Sequence, residues 1–272
     1  MECALESPVF ASEVFGPLAA LRARPIPDQA EARARYQGYR KLPIVAAAPE
    51  PQPEPLIDIA TRGIAGRNYY HITHNPPYWR QIEGAVAGLY LRAPVAEKLA
   101  AVNARIAPQG LELFVFDAWR PRAVQAYFHD VWMPAELQKR DPALAGAALT
   151  AAVERYWAAP TDDPASPAPH STGAAADLSL RWKDGELLWM GTIFDDVTAL
   201  AHRDRFERAG PGAPAYSDEE ARANRRLLHW IMSEEGFAGH PDEWWHFSFG
   251  DQLWAALSGG RARYGLAEAI SG

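Results

Sequence analysis

His170 and Asp177 stand seven residues apart, and a fold that lets them share one centre must bend the chain sharply between them. Fully extended, that span would put their Cα atoms roughly 23 Å apart, too far for two side chains to meet at one atom. Gly173 and the small Ala174, Ala175 and Ala176 supply what a tight, closely packed turn requires. Asp177 then starts a strand and points to the same face as Ser179. Taken alone, the segment reads more simply as a surface loop with a histidine and a strand-leading aspartate.

A second segment changes the weighting. Glu243-Trp244-Trp245-His246 would place Glu and His on opposite faces of a regular strand and on one face of a helical turn. A turn that leads into a strand at His246 brings both toward one centre. With His170 and Asp177 this makes two imidazoles, a carboxylate and a spare glutamate. That is the inventory of a catalytic zinc site, with three protein ligands, an open position and a base. Alone, the segment reads equally as an aromatic core strand with a solvated Glu243. Cys3 is the single cysteine, so an intramolecular disulfide and a cysteine ligand set are both excluded. Any transition-metal site must use histidine and carboxylate.

Composition narrows the classes further. The 272 residues fit one large domain or two small ones, and 48% hydrophobic content supports a buried core. Net charge is −7 without a basic stripe, which disfavours nucleic acid as a partner. No window approaches the roughly 18 apolar residues of a membrane span. The start, Met1-Glu2-Cys3-Ala4-Leu5-Glu6, lacks the basic region of a signal peptide. The expectation is a cytoplasmic protein, periplasmic if a leader has been removed, with no membrane partner. Oligomeric state stays open.

Periodicity and punctuation predict an exposed helix over 28–40 and an extended Pro-rich connector over 46–55. Residues 56–70 read as a strand or irregular loop. Helices follow over 94–107, 121–132, 143–158, 217–235 and 251–257, and strands over 111–116, 176–182, 187–190 and 244–249. Asp184-Gly185 marks a hairpin turn. Ser217 and Glu220 form a capping box, and Gly236 fits the position after the helix end. The Thr161–Pro169 stretch is too rich in proline for regular structure. The fold class is α+β, a single domain with a central, mainly antiparallel sheet flanked by helices and the metal site at the sheet. Residues 1–45 are a helical extension and 46–272 the catalytic domain.

Two more segments carry chemistry. Asp117-Ala118-Trp119-Arg120-Pro121 sits where a strand ends and a helix begins, and Arg120 there can stabilise an oxyanion or form a structural salt bridge. The acids of Gly191-Thr192-Ile193-Phe194-Asp195-Asp196 can bind a substrate amine or cap the residues that follow. His71 and His74 have no carboxylate nearby and read as structural or substrate-lining. His240 reads as a donor bracing the Glu243 segment, His202 and His229 as ordinary helix residues, and Asn68 and Tyr69 as reaching the cleft.

Four stretches together, in order and spacing, resemble the D-alanyl-D-alanine dipeptidases of the VanX type. These are residues 116–121, 169–180, 190–195 and 243–246, within a likeness spanning about residues 40–255. The resemblance implies one zinc ion per chain held by His170, Asp177 and His246, with Glu243 as catalytic base. It implies that Arg120 steadies the tetrahedral intermediate, that Asp195 holds the substrate's free amino group, and that the partner is a small dipeptide. Where the family often has a serine two residues before the first zinc histidine, this chain has Ala168. A D,D-carboxypeptidase or cell-wall endopeptidase acting on longer peptides, and a non-catalytic zinc-binding module, are the alternatives. The blandest reading has no metal.

Overall fold

Leu111–Asp117 (β4) and Ala175–Trp182 (β5) are the long strands of the molecule, and most side chains on them are buried. The computed structural model describes residues 13–45, 54–208, 216–268 and 270; Cys3 and most of the expected 46–55 connector lie outside them. A five-stranded sheet runs in the order β2-β4-β5-β7-β6, with Ala65–Gly66 (β2), Ala238–Gly239 (β6) and His246–Ser248 (β7) as its short members. Only β2 pairs parallel; β4–β5, β5–β7 and β6–β7 are antiparallel. Leu56–Asp58 (β1) and Tyr90–Arg92 (β3) form a separate antiparallel pair.

The helices pack around this sheet. They are Ala19–Ala23 (α1), Ala30–Tyr36 (α2), Ala93–Ile106 (α3), Arg122–Tyr127 (α4), Met133–Arg140 (α5), Gly146–Glu154 (α6), Tyr216–Glu234 (α7) and Gln252–Ser258 (α8). The long α3 buries Val95, Leu99, Val102 and Ile106 along one stripe, the spacing of an amphipathic helix. Those residues share one core cluster with Leu111, Leu113, Leu178 and Leu180 of the sheet. The architecture is α+β with a mainly antiparallel sheet.

Register places the chemistry. Asp117 of β4 lies opposite Asp177 of β5, and Asp177 lies opposite His246 of β7. Three polar side chains thus form one row across the sheet where the strands meet their loops. His170 reaches that row through a short 3-10 turn, Pro169–Thr172, closed by Gly173 at φ +69°. The sharp bend demanded by the spacing is therefore present. A Cβ on Gly173 would also collide with Leu56, so the residue answers both a backbone and a packing constraint.

Several local expectations need correction. Helix α4 does not stop near residue 132: it passes through a π-turn, Phe128–Trp132, into α5. Pro134 has no N–H for the bond to residue 130 and its ring would clash with that carbonyl, which the wider turn relieves. The returning strand over 187–190 reduces to one bridge, Arg181 with Leu187. Asn224 and Arg225 of α7 bind the carbonyls of Trp189 and Met190 and draw that segment off the sheet. Ser217 lies inside α7, which already includes Tyr216, so it is not the cap. Strand β7 covers only 246–248 because the preceding residues form a turn. Helix α2 is shorter than 28–40 and is not simply exposed, because Arg33 is ion-paired to the buried Asp204 and Asp242.

Gly173→Ala is expected to destabilise the fold by about 1–3 kcal/mol through the left-handed backbone and the Leu56 collision. Urea unfolding with an unchanged slope and a lower midpoint would confirm it; an unchanged midpoint would refute the constraint.

Candidate metal centre

His170, Asp177 and His246 each offer one ligand atom, and these atoms lie within 4.8 Å of one another, all three residues being buried. The imidazoles are oriented by their other nitrogens. His170 Nδ1 lies 2.8 Å from the Ala118 carbonyl, which accepts only from N–H, so the proton sits on Nδ1 and Nε2 presents a lone pair. His246 Nε2 lies 3.1 Å from Ser248 Oγ, which leaves Nδ1 facing the centre. His170 Nε2 and His246 Nδ1 are 3.1 Å apart, and Asp177 oxygens stand 3.3 and 3.1 Å from them. Two lone pairs and a carboxylate converging in a buried place suit a divalent cation. Two imidazole nitrogens and one carboxylate match the donor set of a catalytic zinc. Burial holds the His246 imidazole neutral, its pKa lowered to about 4. Burial opposes the Asp177 charge, but His170 and His246 outweigh it and keep that carboxylate ionised.

Asp117 is fully buried and joins two neighbours. Its Oδ2 accepts from Arg120 Nε at 2.9 Å and lies 3.3 Å from His170 Nδ1. It fixes both the guanidinium and the imidazole, a role that its place in the sequence did not disclose. Arg120 further donates to Gln125 Oε1 at 2.9 Å, to the Tyr70 hydroxyl at 3.3 Å and to Asp177 Oδ2 at 3.2 Å. Its guanidinium lies over the Trp157 ring at 4.7 Å. Burial works against the charge, but Tyr70, Asp117 and Asp177 overcome it and raise the pKa further. Arg120 is a fixed cation at the cavity wall.

Glu243 and His246 do approach one centre, through a turn that enters β7 at His246. Glu243 Oε2 is 3.8 Å from His246 Nδ1. Burial, then the charges of Asp177 and Asp195, push its carboxyl well above the usual range. The turn is held from beneath by Arg203, which is 2% exposed. Its Nε donates to the His240 carbonyl and its Nη2 to the carbonyls of Glu243 and His246. A Cβ at Gly239 would occupy the space of that guanidinium. Burial lowers Arg203 to about 9, still cationic at neutral pH. No local pattern pointed to Arg203, since its partners lie 37 to 43 residues away. The His240 imidazole is an acceptor in this turn: its Nδ1 accepts from the Asp242 N–H at 3.2 Å, while the His240 main-chain N–H donates to the His246 carbonyl.

Asp195 closes the opposite end. It has φ +59°, a conformation retained where surroundings hold it. Tyr70 and Tyr78 both donate to its Oδ2, at 2.8 and 2.7 Å. Burial first, and then Asp177, raise its carboxyl to about 7. These hydroxyls orient the Asp195 carboxylate. Asp196 instead accepts from Thr198 N–H. Asn68 and Tyr69, expected at the cleft, do not line it; Tyr70 is the neighbour that binds both Asp195 and Arg120. Among the described residues His71 and His74 join no metal-ligating cluster, and no helix is long and apolar enough to cross a membrane. Asp195, Arg120, the three candidate ligands and Glu243 line one cavity of about 70 Å³.

The family model described as D-ala-D-ala dipeptidase matches residues 80–259, well over half of the chain. A D-alanyl-D-alanine dipeptidase from Synechocystis is 41% identical over 154 residues, 53% of this chain and 62% of its own. One from Enterococcus faecium is 32% identical over 58% of this chain and 72% of its own. One from Escherichia coli is 33% identical over 51% of this chain and 55% of its own. This chain therefore spans less than two thirds of the first relative's length. A crystal structure of a vancomycin-resistance D,D-pentapeptidase VanY mutant in complex with Zn(II) aligns at a TM-score of 0.35 and 15% identity, over 66% of this chain and 85% of its own, too low a likeness to bear on the fold.

The Asp195 carboxyl is expected to titrate near pH 7 in metal-free protein, read by carbon NMR of labelled aspartate. Tyr78→Phe removes a hydrogen bond that favours the ionised form, so the midpoint should rise. A midpoint near 4, or one unmoved by the substitution, would contradict the geometry.

Proposed function

This chain belongs to the D-ala-D-ala dipeptidase family, and from that membership we propose that it is a zinc metallopeptidase hydrolysing dipeptides, D-alanyl-D-alanine foremost. The observation that carries the proposal is the convergence of His170 Nε2, Asp177 and His246 Nδ1 beside Glu243 and Arg120 in one cavity. His170, Asp177 and His246 would hold one zinc ion, which would supply Lewis acidity at the scissile carbonyl.

The chain's own groups divide the remaining work. Glu243, in its ionised form, takes a proton from the attacking water and returns it to the departing amine nitrogen. The C–N bond breaks as that nitrogen is protonated, and the new C–O bond leaves a carboxylate on the first residue. Arg120 points Nη2 toward the centre and meets the charge that gathers on the carbonyl oxygen. Asp117 and Gln125 hold its fork in place, so it acts without reorganising. Asp195, in its ionised form, meets the substrate ammonium, which selects free N-termini. The walls close around a small substrate.

Glu243→Gln is expected to retain one zinc per chain and lose about 10²–10⁴-fold in kcat on D-Ala-D-Ala. Turnover at the parent rate would remove Glu243 from the base role. His246→Ala should lose the metal by elemental analysis, and a chelator should abolish parent activity reversibly. Preference for a pentapeptide stem over the dipeptide would instead favour a carboxypeptidase.

A further inference from the structure

The cavity that holds the candidate centre is not built by the sheet and its loops alone. Tyr36 and Tyr39 line it together with Glu154, Arg155 and Tyr156. Tyr36 ends helix α2 and Tyr39 lies just beyond, both in the N-terminal extension taken as residues 1–45. The same tyrosines and Arg155 also line an adjoining groove of about 690 Å³. They therefore stand between the inner cavity and the open surface.

The extension is anchored to the loop that carries the chemistry. Arg33 Nη2 meets Asp204 at 2.8 Å, and its Nε meets Asp242 at 2.6 Å. Both acids are at most 5% exposed, so these pairs are far better shielded than surface bridges. Tyr36 packs on the His240 ring at 4.9 Å, and His240 on the His246 ring at 5.8 Å. This contact fixes the tyrosine wall relative to His246.

Charge is arranged unevenly along the cavity. Asp177 and the acids beside it make its inner part acidic, and the inner cation, Arg120, is paired with Asp117 and Asp177 and is given to the carbonyl oxygen. A carboxylate is repelled there and favoured at a cationic rim. At that rim Arg33 is held by its two acids, and Arg40 donates to the carbonyls of Ala159 and Ser166. Arg155 differs. Its side chain is 46% exposed, its nearest acid, Asp242, is 3.4 Å away and already held by Arg33, and its Nη2 donates to His202 Nε2 at 3.1 Å. Glu154 at the same rim is exposed and opposes it only through solvent.

A peptide cut at its first bond carries an ammonium at one end and, beyond the second residue, either a free carboxylate or more chain. On the reading of this site as a dipeptidase centre, we infer that Arg155 receives the substrate's C-terminal carboxylate and that Tyr36 and Tyr39 form the wall that ends the site there. The N-terminal extension thereby sets substrate length. Asp195 and Arg155 bracket the dipeptide, and a third residue would have to pass through the tyrosine wall.

The test uses the zinc-loaded full chain with D-Ala-D-Ala, its C-terminal amide and D-Ala-D-Ala-D-Ala. The parent should cleave the dipeptide best. Arg155→Met should raise KM for the dipeptide roughly tenfold with kcat nearly held, and leave the amide unchanged, so that the acid-to-amide preference collapses. Arg155→Lys should restore part of that preference. Tyr36→Ala should raise the tripeptide-to-dipeptide ratio of kcat/KM by roughly tenfold, with the first bond cut. Equal losses on acid and amide, or an unmoved tripeptide ratio in the folded Tyr36→Ala and milder Tyr36→Leu variants, overturn the inference while the dipeptidase reading stands. A parent inactive on every dipeptide overturns both.

Discussion

The row formed by Asp117, Asp177 and His246 across β4, β5 and β7 is the constraint on which the rest depends. Antiparallel pairing in that register sets the three residues side by side, and their neighbours follow from it. Arg120 bridges Asp117 and Asp177, which ties the start of α4 to the sheet. His170 must fold back over the row, and Gly173 permits the turn. Arg203 holds the Glu243 turn so that β7 enters the sheet with His246 facing its partners. A slip of one residue in β7 would turn His246 to the opposite face and dissolve the cluster.

The same row creates an electrostatic problem. Asp117, Asp177, Asp195 and Glu243 are all buried around the single guanidinium of Arg120, and His246 is held neutral by burial. Uncompensated buried charge is costly, and proteins avoid it by pairing or by neutralising the group. The protein alone takes the second route. The carboxyls of Asp117, Asp195 and Glu243 are all pushed upward, chiefly by burial. A divalent cation between His170, Asp177 and His246 relieves the same imbalance by the first route. It would favour the ionised forms of the surrounding acids, which are the forms that binding an ammonium and accepting a proton require.

Much of this arrangement was legible before the structure. The bend between His170 and Asp177 followed from chain reach and four small residues. The three-residue offset of Glu243 from His246 allowed a turn into a strand, although the strand was expected to begin already at Trp244. The position of Arg120 followed from a strand-to-helix junction. These are local signals, fixed by backbone geometry over a few residues. What escaped were contacts between distant segments: Asp117 on His170, Tyr70 and Tyr78 on Asp195, Arg203 under Glu243, and Tyr36 on His240. None leaves a periodic trace. Residues 187–190 failed as a strand for a related reason, since local alternation was overridden by Asn224 and Arg225 of α7. Membership in the dipeptidase family accounts for the order of the motifs. It does not explain the tyrosine wall contributed by the extension.

The claim that buried imidazole and carboxylate donors form the metal centre is tested most directly by X-ray absorption at the zinc edge, on purified protein carrying one equivalent of metal. The account predicts two imidazole nitrogens at about 2.0–2.1 Å and carboxylate or solvent oxygens at about 2.0–2.2 Å, with no sulfur shell. A sulfur scatterer near 2.3 Å would place the metal at Cys3, and a shell of oxygens without imidazole would place it on surface acids; either result would contradict the centre described.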